Sequence, residues 1–182
     1  MPRIKMIKEK SDLPAEQHAE FERIEQVLNH VSGPFQILLH SPGLAVKVME
    51  AGAQVRLGST LTPVEREICI CAVAREKDAR YEWAAHVKTG RNQGMREETI
   101  EAIRHRQDVS KLPEDERDII LFVRQLLRTN RVEQPLFDAL MKRKGTRWLV
   151  ELAATVGQYQ YISAINGTFQ VEPAADADQL PV

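Results

Sequence analysis

The sequence predicts an all-α protein with a single domain, built as a bundle of several helices. The main observation is that apolar residues recur at intervals of three and four along nearly the whole chain, which is the spacing of one face of an α-helix. Val, Ile and Thr never alternate with polar residues over the length of a strand. The chain has 182 residues, of which 43% are hydrophobic, and this suits one compact domain with a substantial core.

The charge balance disfavours partners that are bound through a strong electrostatic field. Lys and Arg count 25 and Asp and Glu count 26, so the net charge is −1, and neither nucleic acid nor an anionic membrane is expected as a partner. No apolar stretch approaches the roughly 18–20 residues of a membrane span. The basic N-terminus lacks the apolar segment of a secretory signal, so a cytoplasmic location is expected.

Local capping and breaking signals set the boundaries of the expected helices. Ser-Gly-Pro at 32–34 ends the first helix, because glycine and proline interrupt a helical pattern. Thr-Pro-Val-Glu at 62–65 is a capping box with proline at the first helical position, which predicts a helix start there. Gly94 and Gly145 stop two later helices. Besides a short apolar segment at 35–39, the predicted helices cover residues 14–31, 44–57, 63–76, 79–92, 96–105, 113–128, 133–144 and 146–165.

The helix predicted at 63–76 is apolar on almost every side from Ile68 to Ala74, which indicates a central, buried helix. It carries the two cysteines of the chain, Cys69 and Cys71. Residues two apart on a helix point to different sides, so this spacing does not suit a redox pair. We therefore expect both cysteines to be small buried residues of the core.

Three ionisable residues stand out against this apolar background. Glu82 and His86 are four apart on the next predicted helix and share one face, and Glu67 lies on the buried helix before it. If the two helices pack as a pair, the three side chains can form a general acid–base site in which carboxylates orient the imidazole. A glutamate and a histidine at this spacing also form simple surface contacts, so spacing alone leaves both interpretations open.

The same stretch contains a pattern that resembles a known superfamily. Five short motifs resemble the carboxymuconolactone decarboxylase-like superfamily, which also contains alkyl hydroperoxidase D: Leu-Thr-Pro at 61–63, Arg-Glu at 66–67, Ala-Val-Ala at 72–74, Tyr-Glu-Trp-Ala-Ala-His at 81–86, and Gly94. A later stretch, with Gly-Gln-Tyr at 157–159 and Asn166, is similar to the usual ending of the family. The resemblance implies the multi-helix bundle of the alkyl hydroperoxidase D-like type.

The resemblance also divides the chain into three parts. It covers about residues 34–170, which form the predicted domain, and residues 1–33 are an N-terminal segment with one helix. Residues 171–182 are acidic and contain proline, so they are expected to be a flexible or loosely docked tail.

The missing cysteines decide which branch of the superfamily the sequence resembles. The peroxidase branch uses a glutamate, a Cys-x-x-Cys pair and a histidine. Counted back from His86, its glutamate falls on Glu67, whereas its two cysteines fall on Ala79 and Glu82. The resemblance thus implies the decarboxylase-like branch, which handles small carboxylated lactones or related ring-cleavage products. It also implies an enzyme that requires no cofactor and forms a homo-oligomer, a trimer or a hexamer.

The leading hypothesis is a lyase or isomerase for a small-molecule substrate, with His86 as acid–base and Glu67 and Glu82 as orienting carboxylates, without a metal. Two alternatives remain: a divalent metal held by the same cluster, or a non-catalytic oligomeric protein that binds small molecules. A thiol peroxidase is disfavoured because both redox cysteines are absent. Candidate substrate-binding residues are Phe35, His40, Tyr81 and Trp83.

Overall fold

The computed structural model describes residues 2–181, and within them it contains eight α-helices and no strand. The predicted all-α architecture is therefore confirmed. Residues 1 and 182, the outer ends of the predicted N-terminal segment and tail, lie outside the described residues. In chain order the helices are α1 (His18–Leu28), α2 (Pro34–Leu38), α3 (Pro42–Leu57), α4 (Pro63–Glu76), α5 (Arg80–Asn92), α6 (Glu97–Arg104), α7 (Glu114–Thr129) and α8 (Gln134–Phe169).

The first helix is shorter than the predicted span 14–31. That span begins with a 3-10 turn at Ala15–Gln17, and α1 itself ends at Leu28. Asn29 follows in the left-handed conformation with φ of 70°, which ends the helix before the predicted break. Apolar residues continue at helical intervals beyond this point, so the periodicity overestimates the helix.

The last two predicted helices are joined in one bent segment, α8. Gly145 has φ of 83° and ψ of 171°, so the chain changes direction between helical arms at 134–144 and 146–169 without a longer loop. A positive φ costs glycine little, which explains the residue found at the bend.

Helix α4 lies at the centre of the bundle, as its apolar sequence predicts. Residues 68–74 are all buried, and Cys69 and Cys71 have no exposed surface. α4 packs against α5, α6, α7 and α8. The predicted capping box is present, because Thr62 Oγ1 accepts the N–H of Glu65 at 3.2 Å and Glu65 Oε2 accepts the N–H of Thr62 at 2.8 Å.

Two hydrophobic clusters make up the core, and a cavity lies where they meet. The larger cluster surrounds α4 and includes Ile68, Trp83 and Tyr159. The smaller cluster joins α1, α2 and α3 to the C-terminal arm of α8 and includes Met49 and Ile162. Because Met49, Tyr159 and Ile162 all line one cavity, that cavity is walled by both clusters.

The predicted tail is docked on the bundle through an aspartate. Asp178 accepts hydrogen bonds from Trp83 Nε1 at 3.0 Å, Arg91 Nη1 at 2.8 Å and Arg104 Nη1 at 2.6 Å. Burial opposes the charged form of Asp178, but these donors outweigh burial and lower its pKa to about 2. Asp178 therefore holds this part of the chain against α5 and α6.

No helix within residues 2–181 is long and apolar enough to cross a lipid bilayer. A single chain is described, so the trimer or hexamer implied by the resemblance stays a prediction. The division of the chain at residues 33 and 170 stays a prediction as well.

Candidate active site

Helices α4 and α5 bring Glu67, Glu82 and His86 together. The two helices pack side by side, and Gly90, one turn after His86, lies between Glu67 of α4 and Met95. A Cβ atom at Gly90 would lie 2.5 Å from Met95 Cε and 3.5 Å from Glu67 Cβ. The absence of a side chain at this position therefore leaves room for Met95 beside the contact between α4 and α5.

The imidazole of His86 lies between two buried carboxylates. Its Nδ1–H donates to Glu67 Oε2 at 2.7 Å, and its Nε2 lies 3.5 Å from Glu82 Oε2. The exposed fractions are 1% for Glu67, 4% for Glu82 and 9% for His86. Because Glu67 holds the proton on Nδ1, Nε2 is the nitrogen that is left to exchange a proton with a ligand.

Each carboxylate has a further polar neighbour that holds its orientation. Asn166 Nδ2 on α8 donates to Glu82 Oε1 at 2.7 Å. Arg66 Nε lies 3.5 Å from Glu67 Oε1, and Arg66 Nη1 donates to the carbonyl oxygen of Arg56 at 2.7 Å. The imidazole is thus fixed by carboxylates whose own positions are supported, as a preorganised proton-transfer site requires.

Opposing effects act on the pKa of His86. Burial, the largest effect, lowers the pKa because desolvation disfavours the imidazolium. The hydrogen bonds and negative charges of Glu67 and Glu82 together outweigh burial and raise the pKa of His86 to about 9. His86 is therefore mostly protonated near neutral pH and can serve as an acid through Nε2.

The raised pKa of His86 predicts a loss of stability in alkaline solution. The stabilisation is fully present below the ordinary histidine pKa of about 6.5 and is lost as the pH rises through about 9. We expect the free energy of unfolding to fall by about 2–3 kcal/mol between pH 6.5 and 9.5, as measured by urea titration. The H86Q variant should lose this difference, whereas H105Q, which changes an exposed histidine, should keep it. Equal pH dependence in the wild type and H86Q would contradict the raised pKa.

A cavity of about 240 Å³ opens against His86 and Glu82. Its walls come from α2, α3, α5, α8, the end of α1 and the segment between α1 and α2. The ring of Tyr159 meets the His86 ring edge to face, with centroids 4.9 Å apart and planes at 88°. Glu67 does not line the cavity, so it reaches a ligand only through His86.

Two of the four predicted substrate-binding residues line this cavity, and two do not. Phe35 and Tyr81 are in its wall. Trp83 is fully buried in the core, donates to Asp178 and lies under Arg104, whose guanidinium carbon is 5.2 Å from the ring centroid. The prediction for Trp83 is wrong because one step along a helix rotates a side chain by about 100°, away from the face of Glu82.

The prediction for His40 is also wrong. Its Nε2 lies 2.8 Å from the carbonyl oxygen of Lys5, its side chain is exposed, and it lines none of the cavity. His40 therefore ties the N-terminal segment to the end of α2.

The sequence reasoning missed Asn166, which holds Glu82, and six polar residues that line the cavity: His30, Ser32, Arg56, Thr89, Gln158 and Tyr159. Tyr159 and Asn166 belong to the stretch that is similar to the family ending, which is the one signal that pointed to them. No sequence signal distinguishes Arg56 from other charges at a helix end.

The cysteines are placed as the sequence predicts. Cys69 and Cys71 are free and fully buried on α4. Burial raises the pKa of both thiols, so neither is a reactive thiolate near neutral pH.

The donor geometry bears on the metal alternative. No group of three or more His, Cys, Asp or Glu side chains in residues 2–181 is arranged to hold a metal ion. Glu67 lies at the Nδ1 edge of His86 and Glu82 at the Nε2 edge. One ion bound to either nitrogen would therefore meet only one of the carboxylates.

The sequence and the fold of this chain are similar to those of known proteins. Residues 42–118 match the family model described as the carboxymuconolactone decarboxylase family. No curated protein matches the chain. One similar solved structure is that of an uncharacterized peroxidase-related protein from Ralstonia eutropha JMP134, which is described as an alkylhydroperoxidase AhpD core. Another is that of an uncharacterized peroxidase-related protein from Silicibacter sp. TM1040.

The fold is shared over nearly the full length of these proteins. The Ralstonia protein has a TM-score of 0.78 at 18% identity, over 96% of this chain and 93% of its own. The Silicibacter protein has a TM-score of 0.76 at 19% identity, over 99% of this chain and 98% of its own. A third structure, a variant of the debrominase Bmp8 in complex with 2,3,4-tribromopyrrole, has a TM-score of 0.69 at 17% identity, over 96% and 95% of the two chains.

Proposed function

We propose that this chain, whose residues 42–118 match the carboxymuconolactone decarboxylase family model, is a lyase or isomerase that moves a proton on a small carboxylated lactone or a related ring-cleavage product. The observation that carries the proposal is the pair formed by His86 and Glu67, with 2.7 Å between Nδ1 and Oε2. This pair leaves Nε2 on the side of Glu82, which lines the cavity. An imidazole held in this way suits general acid–base catalysis.

The chemistry of such a substrate requires only proton transfer. In a decarboxylation, the bond between a ring carbon and its carboxylate breaks, and the electron pair moves into the alkene and the lactone carbonyl. Carbon dioxide leaves, and carbon takes a proton from His86 Nε2. The neutral imidazole then regains a proton from water, so the net reaction consumes one proton and releases one carbon dioxide.

An isomerisation would use the same groups in a different order. Glu82, at 3.5 Å from His86 Nε2, would remove a proton from one carbon while His86 delivers a proton to another. Glu82 then passes its proton to the imidazole, so no proton is gained or lost overall. Both reactions depend on the same imidazolium, and no electron acceptor outside the substrate is required.

Thiol chemistry is a weaker interpretation of this site. A thiol peroxidase needs an exposed thiolate and a second thiol to resolve the sulfenic acid. The family positions for these two groups hold Ala79 and Glu82, and Cys69 and Cys71 are buried on another helix.

A paired assay on purified protein tests the proposal. We expect turnover of muconolactone or its carboxylated form in the presence of EDTA and without any reductant. We expect no reduction of an organic hydroperoxide above background with a dithiol reductant. The variant with Cys69→Ala and Cys71→Ala should keep the lactone rate within about twofold, because neither cysteine contacts the cavity.

Three other outcomes would favour the competing interpretations. Hydroperoxide reduction that disappears in the double-cysteine variant would establish thiol chemistry. Lactone turnover that EDTA abolishes and a divalent metal restores would establish the metal alternative. Binding of lactones without turnover would indicate a non-catalytic binding protein.

A further inference from the structure

The cavity is lined by polar side chains other than Glu82 and His86 of α5, and they indicate where a charged group of a ligand lies. We propose that Arg56 and Tyr159 form an anion subsite that anchors a carboxylate of the ligand while the remainder of the ligand lies against His86. Arg56 is in the last turn of α3 and Tyr159 is in the C-terminal arm of α8, and both line the cavity. Only the statement that this ligand is a substrate rests on the proposed function.

Arg56 supplies a positive charge that is not already used. It is the one Arg or Lys among residues 2–181 that lines the cavity, and its exposed guanidinium makes no hydrogen bond or ion pair within that part of the chain. The neighbouring Arg66 is engaged by Glu67 and by the carbonyl oxygen of Arg56. Because that last contact fixes the backbone at Arg56, the free guanidinium projects from an anchored position.

Tyr159 supplies a neutral donor in the same cavity. Its side chain is only 5% exposed, and its hydroxyl has no hydrogen-bond partner among residues 2–181. Burial, the largest effect, raises the pKa of Tyr159, so the phenol keeps its proton. Because Tyr159 lines the cavity, its hydroxyl is available to donate a hydrogen bond to a ligand oxygen.

The charges around the cavity favour Arg56 as the anchor of an anionic ligand. Glu82 lines the cavity and repels a ligand carboxylate placed beside it, whereas Glu67 is paired with Arg66 and His86. Arg56 attracts the ligand carboxylate by charge-assisted hydrogen bonding. The ligand carboxylate is therefore expected on the side of Arg56 and away from Glu82.

This placement narrows the class of substrate. A carboxylate that is stabilised by a guanidinium loses carbon dioxide less readily, because decarboxylation would remove the charge that Arg56 binds. The anchored carboxylate is therefore retained in the product. A substrate for decarboxylation would then carry two carboxylates, one held by Arg56 and Tyr159 and one lost beside His86.

Binding of a matched pair of small ligands tests the subsite without any turnover. The probes are furan-2-carboxylate and furan-2-carboxamide, which have the same ring and the same number of heavy atoms but differ in charge. Affinity is measured by titration at low salt, with the NMR signals of the His86 ring as the report that the probe is in this cavity. We expect the carboxylate to bind about tenfold more tightly than the amide.

Single variants separate the two groups of the subsite. R56Q should remove the preference for the carboxylate, and Y159F should weaken carboxylate binding by about threefold or more. R131Q, which removes an exposed arginine that does not line the cavity, is the matched control and should behave as the wild type. Raising the salt concentration should reduce the preference in the wild type but not in R56Q, because Arg56 is exposed and screened.

Any of three results would contradict the proposed anion subsite. R56Q could keep the wild-type preference for furan-2-carboxylate over the amide, R131Q could lose as much affinity as R56Q, or furan-2-carboxylate could fail to bind the wild type at millimolar concentration. Thermal melting of each variant, expected within a few degrees of the wild type, verifies that the exposed Arg56 contributes little to folding. Absence of lactone turnover would refute the proposed function but leave this binding result intact.

Discussion

Replacing His86 with Ala should lower kcat/KM on a lactone that the wild type turns over by about 10²–10⁴-fold, because the proton donor is removed from the site. Glu67 and Glu82 remain in H86A, but neither is the acid that delivers the proton, and Glu67 does not line the cavity of the wild type. Steady-state kinetics on the folded variant measure the loss. A rate within about threefold of the wild type would contradict the role of His86 as the acid.

The pH dependence of the same reaction shows which form of His86 is active. Because the pKa of His86 is raised to about 9, the wild-type rate should be constant near neutral pH and fall as the pH rises through about 9. E67Q removes one of the interactions that raise this pKa, so the fall should begin at lower pH in that variant. A rate that increases through pH 9 would instead assign the neutral imidazole as a base.

Replacing Trp83 with Ala should lower the free energy of unfolding by about 3–5 kcal/mol, which is the usual cost of deleting a large buried ring. Trp83 has no exposed surface, belongs to the cluster around α4 and donates to Asp178 at 3.0 Å. Its removal leaves a cavity in the core and a buried carboxylate with one donor fewer. Urea unfolding with a two-state fit measures this change.

Two comparisons separate packing from ligand binding at this position. W83F keeps most of the ring volume but loses the indole N–H, so its loss of stability should be smaller than that of W83A. KM should be unchanged in W83F, because Trp83 lies outside the cavity. A raised KM with wild-type stability would restore Trp83 as a substrate-binding residue.

Local signals in the sequence were sufficient to predict most of the helices and the pairing of Glu82 with His86. The capping box at 62–65 and the spacing of Glu82 and His86 depend on neighbours within one helical turn, and the structure contains both. The contact between Asn166 and Glu82 joins residues 84 positions apart. No periodicity encodes such a distance, because it depends on how α8 packs across α5.

The incorrect predictions come from residue type taken without the direction of the side chain. His40 and Trp83 are candidates because of their residue type, and Trp83 also because it adjoins Glu82. Closeness along the chain does not place two side chains on one face, and the direction of Trp83 is set by the rotation of the helix. Arg56 shows the converse, because its sequence context is ordinary and its position against the cavity follows only from the packing of α3.

The order in which the chain is synthesised has a consequence for this site. Glu67, Glu82 and His86 are made before Tyr159 and Asp178, and they lie on two helices that are adjacent in sequence. Tyr159 lines the cavity, and Asp178 accepts hydrogen bonds from Trp83, Arg91 and Arg104. In a nascent chain the proton-transfer residues therefore precede a residue of the cavity wall, and α5 gains its contact with Asp178 only after that residue has been synthesised.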